Sequence, residues 1–216
     1  MRPVRPLPEI MAHRYRGWRA TGFADNAALH RRLAEEGQAP RAMVVGCCDS
    51  RVAITAMLAA EPGEIFLHRN IAALVPPYET GGGRHGTSAA LEYAVTVLAV
   101  PHLIVAGHSR CGGVKGCHDM CAGRAPALEA PDSFVGRWMD VLRPAYGQVA
   151  DIPDEAARLT AFEKRAVVVS LDNLMTFPFV ADAVAEGRLS LHGLWTDIAD
   201  GALEAYDADA DAFVPV

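Results

Sequence analysis

An α/β fold with a central, mostly parallel β-sheet and flanking helices follows from three features of the sequence. Short apolar runs rich in β-branched residues alternate with longer stretches of helical spacing. The runs stay apolar through their centres, as strands covered on both faces do. The chain has 216 residues, 51% of them hydrophobic, enough to bury a core without disulfide staples. With 19 Gly and 14 Pro, it is also far from low-complexity composition.

In chain order, residues 1–37 read as a polar N-terminal helical arm with Trp18, Leu29 and Leu33 as anchors. Residues 42–46, 64–68 and 102–107 read as buried strands, with helical stretches at 54–60 and 87–99 between them. The run at 167–171 could be a strand by itself. Residues 154–176 as a whole have helical spacing, with Pro153 near the start and Pro178 beyond the end, so the segment reads as one long helix. Residues 122–131 read as a surface loop. Residues 189–198 alternate apolar and polar positions, and Asp200-Gly201 separates them from 202–206, giving hairpin-like strands at the C-terminus. No repeat or Gly/Ser-rich linker divides the chain, so residues 1–216 read as one domain.

The formal net charge of −6 argues against nucleic acid or an anionic membrane as the main partner. Arginines punctuate the first 20 residues, with no apolar stretch long enough for a signal-peptide core. No apolar run approaches the 18 residues needed to span a bilayer, so a cytoplasmic protein is expected. Five cysteines are an odd number and too sparse for a disulfide scaffold. They suit thiols or metal ligands in a reducing compartment.

Two cysteine clusters follow strands: Cys47-Cys48-Asp49-Ser50-Arg51 after the first, and His108-Ser109-Arg110-Cys111-Gly112-Gly113 after the third. In an open parallel sheet the carboxyl ends of strands share one edge, where ligands bind. Two thiolates and an imidazole suit zinc, and three protein ligands leave a fourth tetrahedral position open, the pattern of a catalytic site. Cys48 should point away from Cys47 if the segment is still extended. His118-Asp119-Met120-Cys121 repeats the His-x-x-Cys spacing, but lies in a helical stretch and not at a strand end; Cys117 and Cys121 are expected to be packing or exposed thiols. Because two thiolates cancel the charge of zinc, a hydrogen-bond acceptor for the water's proton is valuable. Asp49 is placed to be that acceptor, and Arg51 to clamp it through a bidentate pair.

These residues resemble the β-class carbonic anhydrases, from about Glu35 to the C-terminus. The resemblance rests on Cys-x-Asp-Ser-Arg at 47–51, Arg69-Asn70-Ile71-Ala72, Gly86-Thr87-Ser88 running into Glu92-Tyr93-Ala94-Val95, and Gly107-His108-Ser109-x-Cys111-Gly112-Gly113. It implies reversible hydration of carbon dioxide to bicarbonate and a proton on a zinc-bound hydroxide. Cys47, His108 and Cys111 would hold one Zn2+ per chain, and Asp49 with Arg51 would form the catalytic dyad. Gln38 resembles the amide that hydrogen-bonds substrate or bicarbonate. Phe66, Ile71 and Tyr93 match positions lining a narrow apolar cleft, and Gly112 fits beside the metal. The family cleft lies between subunits, implying a homodimer or higher even homo-oligomer in which Gln38, Phe66 and Tyr93 serve the neighbouring zinc.

The sequence departs from the family at Ala73, where Asn is frequent, and at Ile54, where Pro often follows Ala53. Members with a bicarbonate-regulated switch carry Trp three residues before the first Cys; here Val44 stands there, so Asp49 is expected on Arg51 and off the zinc. Hydrolysis of carbon disulfide or carbonyl sulfide on the same site, and a non-catalytic zinc-holding scaffold, are the alternatives. His68 and His85 lie in segments that could approach the cleft, but neither is singled out as a proton carrier.

Overall fold

The computed structural model describes residues 4–81, 83 and 85–216. They form two compact units that divide between Ala39 and Pro40. The first contains α1 (Glu9–Ala20), α2 (Gly22–Asp25) and α3 (Ala27–Glu36), none of which buries a residue. Its packing is aromatic: Trp18 lies 5.5 Å from Phe23, which stacks on His30 at 5.0 Å. Trp18 is therefore an anchor within this unit while staying 49% exposed, and Leu29 and Leu33 are half-buried.

The second unit runs β1 (Ala42–Cys47), α4 (Ile54–Met57), β2 (Ile65–Asn70), α5 (Gly86–Glu92), β3 (His102–His108), α6 (Gly112–Cys121) and α7 (Phe134–Met139). It continues through α8 (Glu155–Leu174), α9 (Pro178–Ala185), β4 (Ser190–Thr196), β5 (Leu203–Asp207) and β6 (Ala212–Pro215). The sheet order is β2-β1-β3-β4-β5-β6. The first four strands are parallel, and β5 and β6 join antiparallel. Side-chain alternation sends Met43, Val45, Leu103 and Val105 into a core with Leu91, Val167 and Leu174, while Val44 and Ala106 meet Val52 and Ile54 on the other face. Helix α8 crosses the sheet at Gly107 and Gly193. A Cβ at Gly107 would lie 2.6 Å from a methyl of Val167, so these glycines permit the close approach.

Three elements differ from the sequence reading. The helix expected over 54–60 ends at Met57, and Ala59 takes a left-handed φ of 47°. The helix expected over 87–99 gives way at Tyr93–Val97 to a π-helical turn, with Thr96 Oγ1 donating back to the Glu92 carbonyl at 2.7 Å. The C-terminal hairpin gains a third strand, β6, after a turn tied by Asp207. The ambiguous run at 167–171 is helical, inside α8. No single helix among the described residues is long and apolar enough to cross a membrane.

Helix α8 begins at an N-cap that Pro153-Asp154 foreshadows: Asp154 Oδ1 accepts the Ala157 N–H at 2.7 Å. Asp154→Ala should cost about 1 kcal/mol, read as a lower urea midpoint with unchanged slope.

Candidate metal centre

Strands β1 and β3 are parallel neighbours, so their last residues, Cys47 and His108, arrive at the same sheet edge. Cys111 caps the N-terminus of α6 two residues beyond Ser109. Donor atoms of Cys47, His108 and Cys111 all lie within 4.8 Å of one another, and all three residues are buried. The two sulfurs are 4.0 Å apart. Two Zn–S bonds of ~2.3 Å at a tetrahedral angle would place them about 3.8 Å apart. His108 Nδ1 donates to the Ser109 carbonyl at 2.8 Å, which leaves Nε2 as the lone-pair nitrogen. That Nε2 is buried and has no hydrogen-bond partner among the described residues. An orphaned imidazole nitrogen facing two thiols fits a zinc ion.

The Cys111 thiol holds Cys47 down at about 4, with help from His108, against the opposing effect of burial. Cys111, as donor and as a buried group, is pushed up. Burial pulls His108 down, but the Cys47 thiolate, the Ser109 carbonyl and Asp49 outweigh it and leave the imidazole raised.

Asp49 sits beside this group, with Oδ2 4.0 Å from His108 Nε2. Arg51 Nε donates to Oδ1 at 2.9 Å and Nη2 to Oδ2 at 2.7 Å, and the Arg51 backbone N–H adds a third bond to Oδ1. The Arg51 guanidinium holds the Asp49 carboxyl well below the usual carboxylate range. Nη2 also donates to the Arg110 carbonyl, tying the first cluster to the second. Arg69 on β2 fixes the loop from below, donating to the carbonyls of Cys47, Asp49 and Val52 at 2.7–2.9 Å. Sequence reasoning gave Arg69 no role. Asn70 grips both backbone polar groups of Leu74 across Ala72 and Ala73, whose φ values are 63° and 55°. The family departure at Ala73 thus falls on a left-handed residue, a conformation asparagine adopts more readily than alanine.

A second residue missed from sequence is Glu163 on α8, buried, with Oε1 accepting the Cys111 N–H at 3.1 Å. Burial raises its carboxyl, and the amides of Cys111 and Arg110 oppose the rise. Its signal was available: Glu163, Val167, Ser170 and Leu174 recur at helical spacing on the buried face, so a charge falls on an apolar stripe.

The cleft residues fall in two places. Phe66 and Tyr93 pair with ring centroids 5.8 Å apart. Ile71 packs over Gly113, where a Cβ would come within 2.8 Å of its methyl, and a Cβ on Gly112 would enter open space. Gln38 belongs to the N-terminal unit and is exposed there. Cys48 is exposed, turned away from the buried Cys47. His68 hydrogen-bonds Thr87 at 3.0 Å, and His85 the Gly81 carbonyl at 3.1 Å.

His118 is fully buried on α6 and meets arginines, with Arg158 Nε at 3.1 Å from its Nε2. Asp119 and Glu155 approach it, but Arg124 already binds both carboxylates at 2.8 Å. The donors of this trio are thus occupied by cations. Burial pushes the Cys117 thiol up to about 12, an inert packing residue. The Lys115 ammonium and then Arg124 hold Asp119 down at about 2, against 3.8 unperturbed. A folded pKa below the unfolded one stabilises the protein above about pH 4, and the contribution is lost as pH falls through about 2. Asp119→Asn should therefore melt below the parent at neutral pH, and the gap should close between pH 4 and pH 2.

A buried Cys–His–Cys group at the carboxyl edge of a parallel sheet, flanked by a clamped carboxylate, could hold a metal ion. Comparison with known proteins narrows the class. The family model described as "Carbonic anhydrase" matches residues 42–203. "Beta carbonic anhydrase 3" of Arabidopsis thaliana is 36% identical over 196 residues, covering 89% of this chain and 74% of that protein. "Beta carbonic anhydrase 5, chloroplastic" from the same plant is 34% identical over 204 residues, 92% of this chain and 64% of its own length. Among solved structures, the β-carbonic anhydrase CcaA superposes with a TM-score of 0.87 at 28% identity, covering 96% of this chain and 91% of its own. A tetrameric β-carbonic anhydrase from Sordaria macrospora gives 0.75 at 29%, covering 91% and 95%. The chain belongs to the carbonic anhydrase family, in its β class, whose members are zinc-dependent lyases that act in the hydration of carbon dioxide.

Proposed function

We propose that this chain catalyses the reversible hydration of carbon dioxide to bicarbonate and a proton, with one zinc held by Cys47, His108 and Cys111. The observation that carries the reading is the ionised Asp49, clamped by Arg51, with its Oδ2 4.0 Å from the orphaned Nε2 of His108. A structural metal site has no use for such an acceptor. Zinc, when bound, supplies a Lewis acid that lowers the pKa of water so that a nucleophile exists at neutral pH. Asp49 accepts the hydrogen bond of the reacting water and so aims its lone pair at the substrate carbon. Arg51 keeps Asp49 oriented, ionised and off the metal. Gly112 leaves room beside the ligands, and Phe66, Ile71 and Tyr93 offer an apolar surface suited to an uncharged substrate. Gln38 supplies an amide donor to the substrate or bicarbonate oxygen.

The assembly is proposed to be a homodimer or higher even oligomer, the arrangement in which Gln38, Phe66 and Tyr93 serve the neighbouring site. The Sordaria macrospora relatives are described as tetrameric, which supports it. A cytoplasmic location is proposed on the five free cysteines, although one plant relative is chloroplastic. The deciding experiment measures zinc per chain and stopped-flow turnover of carbon dioxide, carbon disulfide and carbonyl sulfide by the purified protein. One zinc per chain with carbon dioxide hydration is expected. Turnover of the sulfur compounds alone would overturn the substrate, and bound zinc without any turnover would leave a scaffold.

A further inference from the structure

At the amino ends of β1, β3 and β4, the opposite edge of the sheet from the metal centre, lies a cavity of about 390 Å³. That volume suits a small molecule. Strand β5 pairs only with residues 194–196 of β4, which leaves the first half of β4 open to the cavity. Ile104, Leu191 and Leu194 give it an apolar floor. Its charged and titratable groups are Arg41 at the start of β1, His102 on β3, His192 on β4 and Tyr206 on β5. The Tyr206 hydroxyl is engaged, donating to Asp211 at 2.7 Å. Arg41 forms no ion pair among the described residues. None of the described residues lining the cavity is acidic, in a chain whose net charge is −6. The strand register sets Ala42 beside His102 and Ile104 beside His192, so both imidazoles stand on one face of the sheet.

His102 Nδ1 and His192 Nε2 lie 3.2 Å apart, a hydrogen bond that holds one proton between the rings. The neutral pair points one N–H and one bare lone pair outward. After uptake of a single proton both outer nitrogens donate, and the inner hydrogen bond is kept. The empty cavity disfavours that proton, because burial first and His102 second hold His192 below its ordinary value. The Arg41 charge opposes a metal cation for the same reason, whereas an anion reverses the balance. We propose that this cavity binds a small organic anion, an apolar body carrying one carboxylate. The body covers Ile104 and Leu194, and Arg41 with the singly protonated histidine pair holds the carboxylate. The site is separate from the carbon dioxide chemistry and does not rest on it. The first and last residues of β1, Ala42 and Cys47, are roughly 16 Å apart at the rise of an extended strand.

Calorimetric titration of the zinc-loaded protein with benzoate tests it, with benzamide as the uncharged control and Arg41→Gln and His192→Gln as variants. The parent should bind benzoate and not benzamide. Each variant should bind benzoate roughly tenfold more weakly, the scale of one hydrogen bond to a charged group. Titrations in buffers of different ionisation heat should show close to one proton taken up per benzoate at about pH 7.5, with affinity rising as pH falls toward about 6. Carbon dioxide hydration, and any inhibition of it by benzoate, should be the same in the variants as in the parent, which separates the cavity from the metal. Equal benzoate binding by parent and variants, benzamide binding as well as benzoate, or binding without proton uptake overturns the site. Nickel(II) binding that is lost in His192→Gln, with no response to benzoate, also overturns it and makes the histidine pair a cation site.

Discussion

Replacing Cys111 by serine should leave the protein folded but unable to hold one zinc per chain, with carbon dioxide hydration falling to the buffer background. The expectation follows from what serine cannot supply. A hydroxyl stays protonated at neutral pH and is a poor zinc ligand, whereas the thiolate is a strong one. If a zinc binding free energy of ~10–16 kcal/mol is shared among four ligands, one thiolate contributes roughly 3 kcal/mol, or about a hundredfold in affinity. Cys111 is 3% exposed, so the serine hydroxyl would stand in the same buried position. The fold should survive, because serine is nearly isosteric and the backbone N–H that caps against Glu163 is untouched. Elemental analysis after dialysis against a weak chelator, with circular dichroism as the folding control, checks both halves. A variant retaining one zinc per chain would mean that the ligand set is wrong.

How much of this was legible beforehand depends on how local each signal is. Strands β1 and β3 could be read because a strand buried on both faces needs an unbroken apolar run. The donors at their ends could be placed together because parallel strands put their carboxyl ends on one edge. Asp49 and Arg51 are two residues apart, so their bidentate pair needed no knowledge of tertiary structure. Glu163 and Arg69 were not assigned because each acts across the fold, the first 52 residues from Cys111 and the second 22 from Cys47. Helix ends were also hard to read. Helix α4 stops at Met57 with no proline or glycine before Pro62, and α5 passes into a π-helical turn where β-branched residues and a back-bonding Thr96 crowd the turn. Gln38 marks a further limit: a glutamine in a polar segment carries no sequence signal for where its amide ends up, and its role is inherited from the resemblance.

Asp49→Asn should keep zinc at one per chain and lower kcat/KM for carbon dioxide hydration by ~10²–10⁴-fold, the usual worth of a positioned general base. The substitution changes little in volume, and Arg69 still holds the Asp49 and Cys47 carbonyls, so the loop should remain in place. Arg51 also stays anchored through the Arg110 carbonyl. What changes is the direction of hydrogen bonding. The carboxylate offers lone pairs only, three of them taken by Arg51 donors, with Oδ2 also 4.0 Å from His108 Nε2. An asparagine must turn its oxygen toward the Arg51 donors, which presents its NH₂ to the reacting water. That group donates where an acceptor is required, so the water is oriented with its lone pair away from the substrate. Loss of the charge also leaves Arg51 without its carboxylate partner but removes no residue of the Cys47–His108–Cys111 group. The zinc content therefore separates this variant from Cys111→Ser: one loses turnover with the metal present, the other loses both. Unchanged hydration by a zinc-replete Asp49→Asn protein would show that the carboxylate merely pins the loop, and the acceptor would have to be sought elsewhere in the cleft.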